Sequence, residues 1–168
     1  LKTALRGEDP VLFFEHKMLY GVKGPVPEDD DFAVPFGEAA ILREGRDVTV
    51  VAVSSMVSKA LEAAENLKEE HIEVEVIDPR TLVPLDKETI IHSVAKTSRV
   101  IIAHEAHKRS GPGAEIAAML AEEAIEYLDG PIIRIGAKNV PLPYSPVLEN
   151  YVLPGTEDII TAVKSLGL

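Results

Sequence analysis

Four short strings hold the residue types with which this sequence could do chemistry. His104-Glu105-Ala106-His107 sets two imidazoles around a carboxylate. The zinc-protease pattern, however, needs histidines four apart on a helix, so that both face one way. Here the spacing is three, at the end of an apolar run, and His104 reads as a structural residue at the C-terminal edge of a sheet. That edge is where open α/β sheets bind ligands, so His104 and Glu105, with Arg80, are still the candidates for a strand-end site. Arg80 follows Asp78-Pro79 and could hold a carboxylate in a two-point pair, as an internal or interface salt bridge sooner than as a substrate contact. Ser110-Gly111-Pro112-Gly113 has the look of a phosphate cradle, yet Pro112 removes an N–H donor and no P-loop lysine follows, so a tight strand-to-helix turn is expected. Glu28-Asp29-Asp30-Asp31 lacks the glycine and the alternating ligands of a calcium loop and reads as a solvated run.

These residues need a scaffold, and hydrophobic periodicity supplies one. Val11 to Phe14 is a short apolar run expected as an isolated strand, and residues 21–37 are rich in Gly, Pro and acid, as in a linker between domains. From Val48 the pattern becomes regular. Val48–Val53 reads as a strand, with Ser54 or Ser55 capping a helix whose Val57, Ala60, Leu61, Ala64 and Leu67 share one face. Ile72–Ile77 alternates apolar and acidic residues and reads as a half-exposed or edge strand stopped by Pro79. A helix over Asp86–Lys96, a buried strand over Val100–Ala103, a helix from Gly111 to about Leu128, a strand over Pro131–Ile135 and a final helix over Glu157–Leu166 complete the series. Strands separated by helices imply parallel pairing with right-handed crossovers. The expected fold is a three-layer α/β/α sandwich around a mostly parallel five-stranded sheet.

Composition narrows the function classes. The 168 residues suit one domain with a short additional segment, and 46% hydrophobic residues suffice for a core. Twenty-eight acidic against 17 basic residues give a net charge of -11, unfavourable for nucleic acid or an anionic membrane surface. The absence of cysteine excludes disulfides, thiolate metal sites and cysteine nucleophiles, and fits a cytoplasmic setting. No apolar run approaches the roughly 20 residues that span a bilayer. Leu1 is not an initiator Met, so the chain is expected to begin within a longer protein.

Several strings, taken in order, carry a family resemblance: Phe14-Glu15-His16-Lys17-Met18-Leu19-Tyr20-Gly21, Asp78-Pro79-Arg80-Thr81-Leu82-Val83-Pro84-Leu85-Asp86, His104-Glu105-Ala106, Gly113-Ala114-Glu115-Ile116-Ala117-Ala118 and Pro141-Leu142-Pro143-Tyr144-Ser145-Pro146. Together they resemble the β subunit of the E1 component of pyruvate, acetoin or branched-chain 2-oxo acid dehydrogenase complexes, with the string at residues 15–21 leaning toward pyruvate or acetoin members. The resemblance implies that residues 1–20 are the end of a pyrimidine-binding domain, 21–37 a linker and 38–168 a transketolase C-terminal-like domain. It implies thiamine diphosphate and Mg in the complete enzyme, bound outside these residues, and no catalytic residue within them. It also implies an α2β2 assembly with the E1 α subunit and a second β subunit, and docking of an E2 or E3 subunit-binding domain. For that docking the matching positions are Asp129, where the family more often has Glu, and the terminal Leu168.

Three other readings stay open at this stage. The first is the corresponding domain of a transketolase or deoxyxylulose-phosphate synthase relative. The second is a free-standing protein-interaction module. The third is a flavodoxin-like binder with its ligand near Ser54, Arg80 and His104.

Overall fold

The computed structural model describes residues 1–168. Five strands form one sheet in the order β1-β3-β2-β4-β5: β1 Ala40–Arg43, β2 Val48–Ala52, β3 Val74–Asp78, β4 Val100–His107 and β5 Ile133–Ala137. β1 is antiparallel to β3, and the other three pairings are parallel. Helices α2 Met56–Lys68 and α6 Thr156–Ser165 cover one face, and α3 Lys87–Thr97 and α4 Pro112–Glu123 the other. A short helix, α5 Pro146–Val152, joins β5 to α6. The expected three-layer sandwich with a mostly parallel five-stranded sheet is therefore what forms.

Alternation along the strands builds two cores. Val50, Val76, Ile101 and Ala103 point toward α2 and α6, where they meet Ala60, Ala64, Leu67 and Ile159. Val51, Ile77, Val100 and Ile102 point the other way, onto Ile90, Val94, Ile116 and Leu120. Strands buried on both faces read as continuous apolar runs, which is why β2 and β4 were legible.

Several local expectations change. Ile72–Ile77 is no edge strand: the unforeseen β1 pairs Ile41 with Ile77 and Ala40 with Asp78, so β3 becomes interior. Its alternating acid Glu75 is consequently buried, with 0% exposure. The Gly45 turn after β1 lies so close to β3 that a Cβ there would run into the backbone of Val74 and Glu75. Neither Ser54 nor Ser55 caps α2 with its side chain; the Val53 and Ser54 carbonyls accept from the Met56 and Val57 N–H groups instead (3.2 and 3.1 Å). α4 stops at Glu123, and a 3-10 turn over Ile125–Tyr127 covers the rest of the helix expected to run to Leu128.

The segment before β1 behaves differently. Its helix α1, Lys2–Arg6, is one turn long, and Val11–Phe14 joins no ladder, so it is not the strand expected. An apolar run becomes a strand only where a neighbour accepts its hydrogen bonds, and the sheet has no place for it. A 3-10 turn spans Lys17–Gly21, and residues 22–39 contain no helix or strand. The acidic run folds back on α1, where Asp31 pairs with Arg6 (3.1 Å) and the Asp30 carbonyl accepts from Lys2 (2.6 Å).

Candidate functional site

The C-terminal ends of the parallel strands gather His104 and Glu105 but leave Arg80 apart. Consecutive residues of a strand face opposite ways. His104 therefore enters the α4 layer, while Glu105 enters the α2 layer.

His104 is sealed. It is 2% exposed, and its Nδ1–H donates to the Ala106 carbonyl (3.1 Å), leaving Nε2 unprotonated and without a partner. Three glycines make room for the ring. A Cβ on Gly113 would stand 2.6 Å from Nε2, and Cβ atoms on Gly111 and Gly136 would stand 2.7 and 3.0 Å from the ring carbon Cε1. The Gly111-Pro112-Gly113 string thus serves a side chain and no phosphate, with Pro112 in the first turn of α4. Burial holds the His104 pKa below the ordinary imidazole value, and the nearby Arg134 charge adds to the effect against the opposing Ala106 hydrogen bond. The ring stays neutral near pH 7.

Glu105 is clamped. His16 Nε2 lies 2.7 Å from its Oε2 and Lys59 Nζ 3.5 Å from its Oε1, and the buried Ser55 hydroxyl faces it. Burial would raise the Glu105 pKa, but Ser55, His16 and Lys59 together hold it below the usual carboxylate value. Ser55 and Lys59 stand four residues apart, on one side of the start of α2. His16 comes from the leading segment, 89 positions away in sequence. No local signal could have paired it with Glu105.

The other sequence-selected residues lie elsewhere. Arg80 is exposed, has a positive φ of 56°, and forms no salt bridge within the chain; its backbone N–H donates to Asp78 (2.9 Å). Of the internal or interface salt bridge expected for Arg80, the internal form is not made, and the exposed side chain stays open to the interface form. His107 bonds the Val140 carbonyl through Nε2 (3.0 Å), so the two histidines of the His-Glu-Ala-His string do not converge. No three His, Asp or Glu side chains gather where a metal could sit. Asp129 and Leu168 occupy the opposite edge, where the strands begin. Asp129 is exposed, with its N–H on the Ser98 carbonyl (2.9 Å), and Leu168 packs partly against the core. Gly130 faces Leu166 after α6, so the two segments adjoin.

Chemically, the C-terminal edge is a latch. A neutral sealed imidazole cannot exchange protons with a substrate, and a carboxylate paired with His16 and Lys59 is held in its ionised form. What the edge does hold is the leading segment, through His16.

The model of the family described as "Transketolase, C-terminal domain" matches residues 37–159. The chain belongs to the transketolase C-terminal domain family. As such a domain it is 48% identical, over 99% of its length, to the β subunit of acetoin:2,6-dichlorophenolindophenol oxidoreductase from Bacillus subtilis, covering 48% of that protein. It is equally 48% identical to the pyruvate dehydrogenase E1 component subunit beta of Rickettsia felis, over 98% of this chain and 50% of the relative. Among solved structures, a split gene transketolase described as an inactive beta4 tetramer aligns with a TM-score of 0.70 and 34% identity, covering 84% of this chain and 45% of that one. The chain thus spans about half the length of the curated relatives it matches. No helix of this transketolase C-terminal domain is long and apolar enough to cross a membrane; the longest, α2, has 13 residues.

Proposed function

We propose that the chain is part of the β subunit of a thiamine-diphosphate-dependent dehydrogenase of the 2-oxo acid type, which decarboxylates pyruvate or cleaves acetoin in the cytoplasm, and that its own task is assembly and docking. The observation that carries this reading is identity of 48% extending over 98–99% of the chain, leading segment included, to β subunits named for acetoin and pyruvate. The split gene transketolase supports the alternative of a transketolase relative, but at lower identity and over less of the chain.

Thiamine diphosphate, when bound, supplies the carbanion chemistry of decarboxylation. The residues present do not fit its cradle. Its diphosphate would need a divalent cation, and the strand-end carboxylate that could serve one, Glu105, is already taken by His16 and Lys59. Two buried imidazole nitrogens lack a partner, Nδ1 of His16 and Nε2 of His104, and the second lies against Gly113. The chain's own residues act on structure: His104 fills the junction of β4, β5 and α4, and Glu105 ties the leading segment to the sheet.

Assembly with an E1 α subunit and a second β subunit, as α2β2, is supported by the leading segment. Leu12, Phe14, Met18, Tyr20 and Val22 are all exposed there, and large apolar side chains grouped in one exposed segment are what an interaction surface offers. Docking of an E2 or E3 subunit-binding domain at Asp129 and Leu168 is supported by their lying in adjoining segments at the edge away from the latch. A basic partner surface would complement the acidic chain.

Co-expression of the full chain with the missing β segment and the α subunit of the B. subtilis relative tests assembly. A co-eluting complex that acylates lipoamide from pyruvate or an acetoin-derived donor is expected. Failure to co-elute, or transfer of two-carbon units between sugar phosphates, would overturn the reading in favour of its alternative. For docking, Asp129→Lys is expected to abolish capture of the E2 subunit-binding domain; capture indifferent to that change and to salt would remove this edge from the proposal.

A further inference from the structure

A cleft of about 450 Å³ opens beside the ends of β4 and β5, walled by the connection from α5 to α6. It lies outside the latch. Lys108, Arg134 and Lys138 line it, against one carboxylate, Asp158. In a chain of net charge -11 this local excess of cations runs against the composition.

The cations are also held apart from the acids that could neutralise them. Arg43, Arg46, Lys59, Lys87, Lys96 and Lys164 each pair with a carboxylate. Lys108, Arg134 and Lys138 pair with none. Arg134 donates one Nη1 bond to the Lys108 carbonyl (2.9 Å), which fixes the guanidinium while leaving its charge and the rest of its fork unanswered. Lys138 Nζ sits 3.1 Å from the centre of the Tyr151 ring, which orients an ammonium without cancelling its charge. The Asp158 carboxylate is turned to the Gly155 N–H (2.7 Å) and so closes the first turn of α6. Because Glu157 and Asp158 already occupy that turn, the helix end is not what would hold a ligand. The three cationic residues share this lining without an acid paired to any of them, and an anion seated there would offset their charge.

We propose that this cleft is a binding site for a small phosphate-bearing anion, held by Lys108, Arg134 and Lys138. Arg134 offers the planar fork that matches two phosphate oxygens, and the two lysines supply point charges around it. Tyr151, largely exposed at the rim, offers a face for whatever the phosphate carries. The volume admits a group larger than inorganic phosphate. The site stands independently of the dehydrogenase reading, since it uses neither the latch nor the docking edge.

Amide NMR of the full chain, titrated with inorganic phosphate, with glycerol 3-phosphate and with sodium chloride at matched ionic strength, provides the test. Both phosphates should give saturable shifts at Lys108, Gly136, Lys138 and Tyr151, and the double variant K108E/K138E should weaken binding at least tenfold. Both lysines are exposed, so the thermal midpoint of that variant should stay near that of the parent. Arg134→Lys should also weaken binding, through loss of the fork. The neighbouring His104 ring should titrate at higher pH with phosphate bound, as the anion offsets the Arg134 charge. Tighter binding of glycerol 3-phosphate would assign the site to a phosphate ester, and equal binding to free phosphate. Shifts that merely follow ionic strength, saturable binding unchanged in K108E/K138E, or a response to polyglutamate but to neither phosphate would each overturn the proposal.

Discussion

Residues 1–39 and residues 40–168 both carry large apolar side chains, and they treat them in opposite ways. Phe14 is 88% exposed and Leu12 85%, whereas Leu67 and Ile101 are wholly buried. Residues 1–39 contain no buried residue at all. The difference does not come from hydrophobicity, since Val11-Leu12-Phe13-Phe14 is as apolar as Val100-Ile101-Ile102-Ala103. It comes from hydrogen-bonding neighbours. β4 has β2 on one side and β5 on the other, and helices on both faces; the leading run has neither. The leading segment's hydrogen bonds to the body are polar links at a few points: His16 to Glu105, the Gly37 N–H to the Thr81 hydroxyl and the Ala39 N–H to Asp86. A segment held this way keeps its apolar face available to another surface.

Breaking the body should cost far more than breaking the leading segment. Ile101→Ala removes a fully buried side chain from the core between the sheet and α2, and urea unfolding should show a loss of about 2–5 kcal/mol. Phe14→Ser in the isolated chain should shift the same transition by less than about 0.5 kcal/mol and should lower self-association. Equal losses at the two positions would show that the leading run is packed after all.

Gly113→Ala probes the His104 cage next. The added methyl meets the imidazole, and overpacking should cost about 1–3 kcal/mol. A double-mutant cycle with His104→Ala, which empties the space, should recover much of that loss. Simple additivity would mean that the ring is not what Gly113 accommodates.

A smaller effect is expected at the buried Glu75. Lys96 contacts its Oε2, Gly45 donates its N–H (3.2 Å), and Oε1 is without a partner. Burial pushes the Glu75 pKa up, but Lys96, Ser93 and Gly45 outweigh it and hold the carboxyl below its usual value. Stability from this group is therefore present above the unfolded carboxylate pKa and lost as pH falls through the lower folded value. Burial alone would lower the Lys96 pKa, yet Glu75 and Glu44 raise it, so its contribution is present below the unfolded lysine pKa and lost as pH climbs through the raised one. Lys96→Met strands the carboxylate. Because the lysine is 42% exposed, the expected cost near pH 7 is only about 1–2 kcal/mol. Glu75→Gln should flatten the acid limb of a stability-versus-pH curve, and an unchanged limb would count against this account.

The latch should give the smallest change in global stability and the most local one. His16→Asn should alter unfolding by less than about 1 kcal/mol, while amide exchange over residues 10–20 accelerates and that over β4 does not. Acid should release the segment in the same way. The Glu105 pKa is held low, so its grip is complete above the unfolded carboxylate value and fails as pH drops through the folded one.

The readable parts of the fold were those where one segment carries its own signal. β2 and β4 announced themselves as unbroken apolar runs, and α2 and α3 by stripes of three- and four-residue spacing; Asp86 caps α3 by accepting from the Thr89 N–H (3.1 Å). The missed parts were relations between segments. Ala40–Arg43 is too short to stand out, so β1 was not expected. Without it Ile72–Ile77 looked like an edge, and the burial of Glu75 was hidden. Of the site, the place of His104 at the end of a buried strand was legible as the end of an apolar run, but its three-glycine cage and the His16–Glu105 bond were not.

By itself, then, the sequence determined the alternation of strands and helices, the parallel sheet that follows from it, and a family resemblance that the comparisons bear out. Those follow from local periodicity, turn residues and short motifs, each contained within about a dozen residues. Only the tertiary structure decided which apolar runs were buried, which carboxylates were held ionised, and which cations were left unpaired beside β5. Such outcomes depend on what each side chain meets across the sheet. Two equally apolar runs, at Val11 and at Val100, met opposite fates because only one found neighbours.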